Sequence, residues 1–507
     1  MSHKKAKNSV NIVASLLGYA VPLLVNFAST PYLVRSLGED AFGVQVLVNV
    51  VIGYLALMDL GIGLPLIKYL AEDRAKGDTK AEAELLSTTL VLYIVLGVLG
   101  MLVAFSLSSY LAEHFFTIPE SLQDTSTTVF QLAGAGFFAT LLMGWGRSVA
   151  MGLQRYDIAY AISALSSVLG VGVGVLAVYS GYGLEGYVFS KVLFLFAAAI
   201  IYFVTFYFYM SSIKISLRPT KEAFSRIRSY LVYGIVHRGI TGLAGSIDKT
   251  LLGILISSAS VGLYSLPYMI TNSISYALSF TLSFVFPASS ELYATGQYEQ
   301  LKSLFVNSSR FLVALSCMTF APLFLFGDMF LYLWIGPEIT EKVLPTFYVL
   351  AIAAFIKVTL TSLINNVMMG IGRVDQFTVY TVIRVFVFTF FCAVLIPYFG
   401  FDGAALGVLL ACMVDFFYFL WALKVHLKLN YSNVLSISFV RPIFIVITVG
   451  VLFFPFSHPE PSWLNMLILT LVVEFVVVIL YYKLNVFRER EKELIRNIFV
   501  RFSGRSE

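Results

Sequence analysis

Long apolar stretches recur along the chain and are separated by short polar ones. A helix needs about 20 mainly apolar residues to cross a bilayer. Fourteen stretches reach that length, at roughly 10–34, 42–67, 85–110, 126–146, 158–180, 187–210, 231–256, 262–287, 306–327, 343–368, 377–397, 404–423, 437–456 and 463–484. Their length, and the absence of sustained two-residue alternation, predict helices rather than a β-barrel. The longest polar stretches, around Glu72–Glu84 and Ser211–Ser229, run to fewer than twenty residues. That leaves no loop for a separate extramembrane domain and speaks against membrane-embedded glycosyl transfer. The expected fold class is an all-α polytopic membrane protein of about fourteen transmembrane helices.

Composition agrees. Of the 507 residues, 59% are hydrophobic and 12% charged, against about 45–50% and about 25% in soluble domains. A soluble enzyme, a nucleic-acid-binding protein and a disordered chain are excluded, and no nucleic-acid partner is expected. Cys317, Cys392 and Cys412 lie in apolar runs without metal spacing, so they read as small buried hydrophobes. Neither a metal nor a cofactor is expected.

Charge placement sets the orientation. With the N-terminus inside, the cytoplasmic segments hold Lys4, Lys5, Lys7, Lys68, Arg74, Lys76, Lys80, Arg147, Arg155, the Lys214–Arg228 cluster, Lys302, Arg373, Lys424, Lys428 and the basic tail from Lys483 to Arg505. The opposite loops hold Arg35 and Lys342. This is the positive-inside pattern, and it places both termini in the cytoplasm. The first apolar stretch is too long for a signal peptide and reads as a retained span. The basic tail reads first as a topology signal and second as a surface for anionic membrane lipid.

The chain also repeats itself. Met151-Gly-Leu-Gln-Arg-Tyr-Asp157 returns as Met369-Gly-Ile-Gly-Arg-Val-Asp375, shifted by 218, and Tyr179-Ser-Gly-Tyr-Gly returns loosely as Tyr398-Phe-Gly-Phe-Asp, shifted by 219. The 219 shift also aligns Phe42-Gly43-Val44 with Val261-Gly262-Leu263. The offset covers six spans, an even number, so the copies run parallel, an arrangement in which transporters place substrate between the halves. The predicted division is 1–211, 212–430 and a trailing pair of spans with the tail, 431–507.

Charges inside a bilayer are costly and mark bundle interiors or wet cavities. In the seventh stretch Gly234, Arg238, Thr241, Gly245 and Asp248 form one helical stripe, with Lys249 adjoining about 100° away. The first stretch carries Ser15, Tyr19, Pro22, Asn26 and Ser29, where Pro22 predicts a bend. The second carries Gln45, Asn49 and Asp59, and the eighth Tyr268, Asn272, Ser275 and Ser279. Lys357, Thr361 and Asn365 share a face of the tenth, and Gln376, Tyr380 and Arg384 a face of the eleventh. Arg238, Lys249, Lys357, Arg384, Asn26, Asn49, Tyr268 and Asn272 are the candidate substrate-cavity residues. Asp59, Asp248, Asp415 and Glu474 are candidates for a gate or for coupling. A cationic, tyrosine-rich interior suits phosphate and sugar hydroxyls, which Arg grips bidentately and Lys attracts as a point charge.

Pro31-Tyr-Leu-Val-Arg-Ser-Leu-Gly-Glu-Asp-Ala-Phe-Gly43, Met58-Asp-Leu-Gly-Ile-Gly63 and Gly152-Leu-Gln-Arg-Tyr-Asp157 carry a further signal. With them the chain resembles the polysaccharide transporter family of bacterial lipid-linked oligosaccharide flippases, within the multidrug/oligosaccharidyl-lipid/polysaccharide exporter superfamily. The resemblance implies two six-helix lobes in a V around a cavity, a site in the bacterial inner membrane, and export of a polyprenyl-pyrophosphate-linked O-antigen, capsule or exopolysaccharide unit. It further implies alternating access coupled to a proton or sodium gradient, alongside glycosyltransferases and a polysaccharide polymerase. A peptidoglycan-precursor flippase and a small-molecule or cation antiporter are the transport alternatives. The acidic first-helix cation site of drug exporters has no counterpart here.

Overall fold

The computed structural model describes residues 2–209, 216–456 and 460–486, without the side chains of 2–17, 19, 229–230, 232–241, 243–244, 433 and 437. The described residues are helical throughout, with no strand among them, and form two compact units, Met1–Leu263 and Tyr264–Glu507. Eleven of the described helices are long and apolar enough to cross a membrane.

The first unit contains α1 (Ser2–Leu37), α2 (Glu39–Leu55), α3 (Gly63–Lys76), α4 (Thr79–Tyr110), α5 (Glu120–Gly152), α6 (Tyr156–Tyr179), α7 (Gly183–Tyr209) and α8 (Lys221–Leu255). It closes with the first turn of α9 (Ser258–Phe280). The second unit continues through α10 (Val285–Ala294), α11 (Tyr298–Ile335), α12 (Pro337–Lys357), α13 (Leu363–Gly370) and α14 (Val374–Val425). It ends with α15 (Tyr431–Leu435), α16 (Arg441–Phe453) and α17 (Trp463–Lys483).

One stretch departs from a simple span. The stretch at 42–67 is interrupted: α2 gives way to a 3₁₀ turn over Ala56–Asp59, and Leu60 (φ 54°) and Gly61 (φ 74°) are left-handed before α3 begins. The left-handed residues end the helical ladder, and a non-glycine there costs roughly 1–2 kcal/mol. The stretches at 377–397 and 404–423 are the two helical arms of α14, which reverse direction at the non-helical Gly400 (φ 57°, ψ −135°) and pack on each other through Cys392 and Gly407.

Left-handed backbone positions recur at the same offset as the matching letters. Gly77 and Gly296 are both left-handed at φ 71°, 219 residues apart. Gly181 (φ 88°) and Gly400 (φ 57°) share that offset, and Gln154 (φ 58°) and Gly372 (φ 77°) are 218 apart. Gly152 lies against Ile67 and Leu70 of α3, and Gly370 against Phe286 and Ser289 of α10, which are the equivalent positions.

Small residues let the helices approach. A methyl on Gly100 of α4 would meet the Phe137 ring of α5 at 2.3 Å. Trp145, fully buried in α5, donates its Nε1 to Thr89 Oγ1 at 3.1 Å. The start of α8 is clasped by Asp73 of α3, which receives Arg226 at 2.7 and 2.9 Å. In the second unit α17 packs Val473, Val477 and Tyr481 near Ala314 and Leu325 of α11, and Arg310 donates to Val486 O at 2.6 Å just past its end.

The tightest backbone approach joins α2 to the first turn of α9. A Cβ on Gly43 would fall 1.7 Å from Ser258 O, and one on Gly262 would fall 2.9 Å from Glu39 O and 3.2 Å from Gly43 Cα. Gly43 and Gly262 are repeat counterparts, as are Glu39 and Ser258, so each copy makes with the other the contact that the other makes with it. Asp40 completes the crossing, accepting from Ser258 Oγ at 2.8 Å and Ala259 N at 3.2 Å. Overpacking here costs about 1–3 kcal/mol or more. Gly43→Ala should therefore lower the melting temperature of the detergent-solubilised protein by several degrees, while Gly144→Ala, with nothing within 4 Å, should leave it unchanged. Equal melting of the two variants would refute the close crossing.

Candidate functional site

Three of the polar stripes, those of the eighth, tenth and eleventh stretches, meet in the second unit. Between Lys357 and Leu363 the backbone widens into a π-helical turn, Val358–Ser362, a feature that often marks functional positions within helices. Lys357 stands exposed at its start, and its carbonyl accepts from Thr361 Oγ1 at 2.6 Å. Ser362 meets Ser279 of α9 at 2.8 Å. The Thr361 hydroxyl lies beside Tyr380 on the first arm of α14.

Tyr380 is the hinge of this cluster. Its hydroxyl donates to Asp415 Oδ1 at 2.5 Å, and Arg384 Nε donates to the same oxygen at 2.8 Å. Asp415, on the second arm of α14, is fully buried, and its Oδ2 makes no hydrogen bond. The Tyr380 ring stacks on Tyr418 at 4.0 Å. Asn365 Oδ1 and Gln376 Oε1 are also buried without a hydrogen bond. The centre thus combines two cations, one carboxylate and several unsatisfied acceptors.

A smaller polar group sits between α2 and α8 in the first unit. Asp248 and Lys249 are both buried and pair at 3.6 Å, and Asp248 Oδ1 accepts Lys249 N at 2.8 Å. Next to them Tyr54 Oη and Thr250 Oγ1 lie 2.5 Å apart. Arg238 falls in α8, with its side chain outside the described residues.

The other candidates are dispersed. Asn26 Nδ2 donates to Pro22 O at 2.7 Å, and Asn49 Nδ2 to Gln45 O at 3.2 Å, so each amide supports its own helix. Asp59 is half-buried at the end of its 3₁₀ turn. Tyr268 and Asn272 are half-buried on α9, with the Tyr268 ring 5.8 Å from that of Tyr264. Glu474 is half-buried on α17, away from both polar groups in sequence. Sequence reasoning passed over Lys191. Because α7 begins at Gly183, Lys191 lies about 12 Å into the helix, with its Nζ 5.5 Å from the Tyr187 ring centroid. The i, i+4 spacing of a tyrosine and a lysine was the available signal.

A family model described as polysaccharide biosynthesis protein matches residues 32–344. The chain belongs to the polysaccharide biosynthesis protein family. A Shigella flexneri protein named as an O-antigen transporter is 23% identical over 329 residues, covering 64% of this chain and 76% of that protein. A Haloferax volcanii protein named as the low-salt glycan biosynthesis flippase Agl15 is 25% identical over 423 residues, 81% of each. Among solved structures, the lipid II flippase MurJ in an inward closed conformation aligns with a TM-score of 0.75 at 9% identity, covering 94% of this chain and 99% of its own. An inward-facing transporter of the multidrug MATE family aligns with a TM-score of 0.69 at 16% identity, covering 82% and 98%. These likenesses show a shared all-helical, multi-pass fold.

Removing one partner of a buried ion pair costs about 3–5 kcal/mol, whereas replacing both with apolar residues of similar volume is near neutral. In this family member Asp415→Leu should therefore destabilise strongly, because it strands Arg384, and Arg384→Met with Asp415→Leu should recover most of the loss. Denaturant unfolding of the four proteins in detergent provides the cycle, and additive losses would break the pairing.

Proposed function

We propose that this protein is a flippase that moves a lipid-linked oligosaccharide across the membrane, with the sugar-pyrophosphate head following a polar path while the lipid tail stays in hydrocarbon. The observation that carries this reading is the exposed Lys357 at a π-helical turn, beside the Tyr380–Asp415–Arg384 cluster, in a chain of the polysaccharide biosynthesis family. A lysine deep in an apolar stretch is retained against its cost where it meets an anion, and pyrophosphate is the anion of such a substrate. The names of the Shigella and Haloferax relatives support the substrate class.

On this reading 1–211 and 212–430 are the two moving halves, with 431–507 attached to the second. The Gly43–Gly262 crossing is the contact that loosens when the path opens at its end.

Vesicles holding the purified protein and a fluorescent lipid-linked oligosaccharide test the proposal, with exposure of the glycan read by an external glycosidase. The intact lipid-linked sugar should cross faster than in protein-free vesicles. Lys357→Ala should slow it about ten-fold or more, as expected for a lost charge-assisted contact, with insertion unchanged. Transfer of the peptidoglycan precursor in preference to the oligosaccharide, or formation of a new glycosidic bond, would overturn the reading.

A further inference from the structure

The repeat builds the same loop twice and leaves it in two different states. Both copies turn through a left-handed residue, Gln154 or Gly372, and both return a backbone hydrogen bond of 2.9 Å, from Arg155 N to Ala150 O and from Arg373 N to Met368 O. In the first copy the side chains close on themselves. Arg155 grips Asp157 at 2.8 and 2.9 Å, donates to Tyr209 Oη at 2.6 Å and covers the Tyr209 ring at 5.0 Å. In the second copy the places corresponding to Tyr209 hold Leu427 and Lys428, neither of which offers an aromatic hydroxyl. Arg373 and Asp375 are both exposed, and among the described residues no ion pair joins them.

Directly beside Asp375 a crevice of about 520 Å³ opens between the two arms of α14. Asp375, Gln376, Tyr380, Phe417, Tyr418 and Trp421 line it. Its wall is a ladder of rings, with Tyr380 on Tyr418 at 4.0 Å, Tyr418 on Trp421 at 6.0 Å and Trp421 against His426 at 5.0 Å. Gln376 Oε1 and Tyr418 Oη are buried without a hydrogen bond. A carboxylate, an amide oxygen and aromatic faces all attract a cation that donates hydrogen bonds. Arg373, two residues before Asp375, offers the complementary grip on phosphate. Above this mouth Val379 and Ile383, about 6 Å apart along the first arm, and Phe417 on the second arm are 58%, 49% and 62% exposed and form an apolar track.

We propose that this second copy of the loop, with the crevice above it, binds an ethanolamine phospholipid. Its ammonium meets Asp375 and the aromatic faces, its phosphate meets Arg373, and one acyl chain follows Val379, Ile383 and Phe417. The carboxylate in the lining disfavours an anionic headgroup, and a choline headgroup lacks the N–H donors that Gln376 and Tyr418 call for. The site is independent of what the protein transports. It shares Tyr380 with the polar centre, so an occupied crevice touches a partner of Asp415.

Brominated acyl chains quench nearby tryptophan, and Trp421 lies in the wall. Full-length protein is placed in choline-lipid nanodiscs carrying an equal minor fraction of acyl-brominated ethanolamine, glycerol or choline phospholipid, and the Trp421→Phe variant subtracts the other three tryptophans. The ethanolamine lipid should quench the Trp421 component about two- to five-fold more than the others, the range set by an exposed ion pair. Asp375→Asn should remove that preference, Asp375→Glu should keep it, and Asp157→Asn in the first copy should leave it alone. Retention of ethanolamine lipid by the wild-type protein in native mass spectrometry, lost in Asp375→Asn, gives the same answer without altering a tryptophan. Equal quenching by all three lipids would reduce the crevice to ordinary annular contact. Strongest quenching by the glycerol lipid would reassign it to an anionic site built on Lys424 and Lys428. Either result overturns the proposal.

Discussion

In hydrocarbon a polar group without a partner costs several kcal/mol, and that penalty organises nearly every polar contact of this molecule. Hydroxyls inside the helices fold back on their own ladders: Thr89 onto Leu85 O, Thr140 onto Gly136 O, Thr271 onto Pro267 O, each within 3.0 Å. The amides of Asn26 and Asn49 do the same. Carboxylates that cannot fold back find cations, as Asp415 finds Arg384 and Asp248 finds Lys249. Against this background of satisfied groups, the exceptions stand out. Some, such as Glu82 Oε2 and Ser126 Oγ, lie in the first unit, but Asp415 Oδ2, Asn365 Oδ1, Gln376 Oε1 and Tyr418 Oη cluster on α13 and α14 of the second, where hydrogen-bonding capacity is left over for water or a ligand to use.

Duplication explains why glycine occupies the α2–α9 crossing. At this crossing, residues 219 positions apart meet each other. Gly43 faces the backbone of the Gly262 copy, and Gly262 faces Gly43. Any side chain placed at one such position would meet backbone rather than a rotamer able to move aside. Side chains beside that contact are free to differ, and Asp40 does: it caps α9 through Ser258, while the position 219 residues later holds Ala259 and makes no reciprocal cap through its side chain.

Much of this was legible in the chain before folding. Apolar length located the spans, and the paired motifs at 151–157 and 369–375 located the repeat, because both depend on local letters. The interruption at Leu60–Gly61 was half-legible, since Asp59-Leu-Gly-Ile-Gly63 carries two glycines, but an apolar run conceals where a ladder breaks. The break at Gly400 was legible as well, because apolar length falls between the two stretches where the left-handed glycine turns the chain back. The stripes on the tenth and eleventh stretches were visible as periodicity. Their convergence on Asp415 was not, because helix rotation and the π-helical turn at Val358–Ser362 are set by packing with neighbours. Lys191 was missed for a simpler reason: a helix start misplaced by four residues turns an interior charge into an interfacial one.

The two copies also divide the labour. The backbone frame is shared, down to matching left-handed residues, while the chemistry is not. Where the second copy has Asp415 the first has Phe196, and where it has Arg384 the first has Leu165 or Ser166. Ser166 spends its hydroxyl on Phe194 O at 2.8 Å. The loop before α6 closes through Arg155, Asp157 and Tyr209, while the loop before α14 leaves Arg373 and Asp375 open. In these three places the first copy's polar group is absent or internally satisfied, and the second's is exposed or has capacity to spare. A symmetric frame holds two halves to matching geometry at little cost in sequence. Most of the buried polar atoms without a hydrogen bond among the described residues lie in the second unit, where burial in a large apolar core around Phe305, Phe320, Ile364, Met368 and Phe419 offsets their cost.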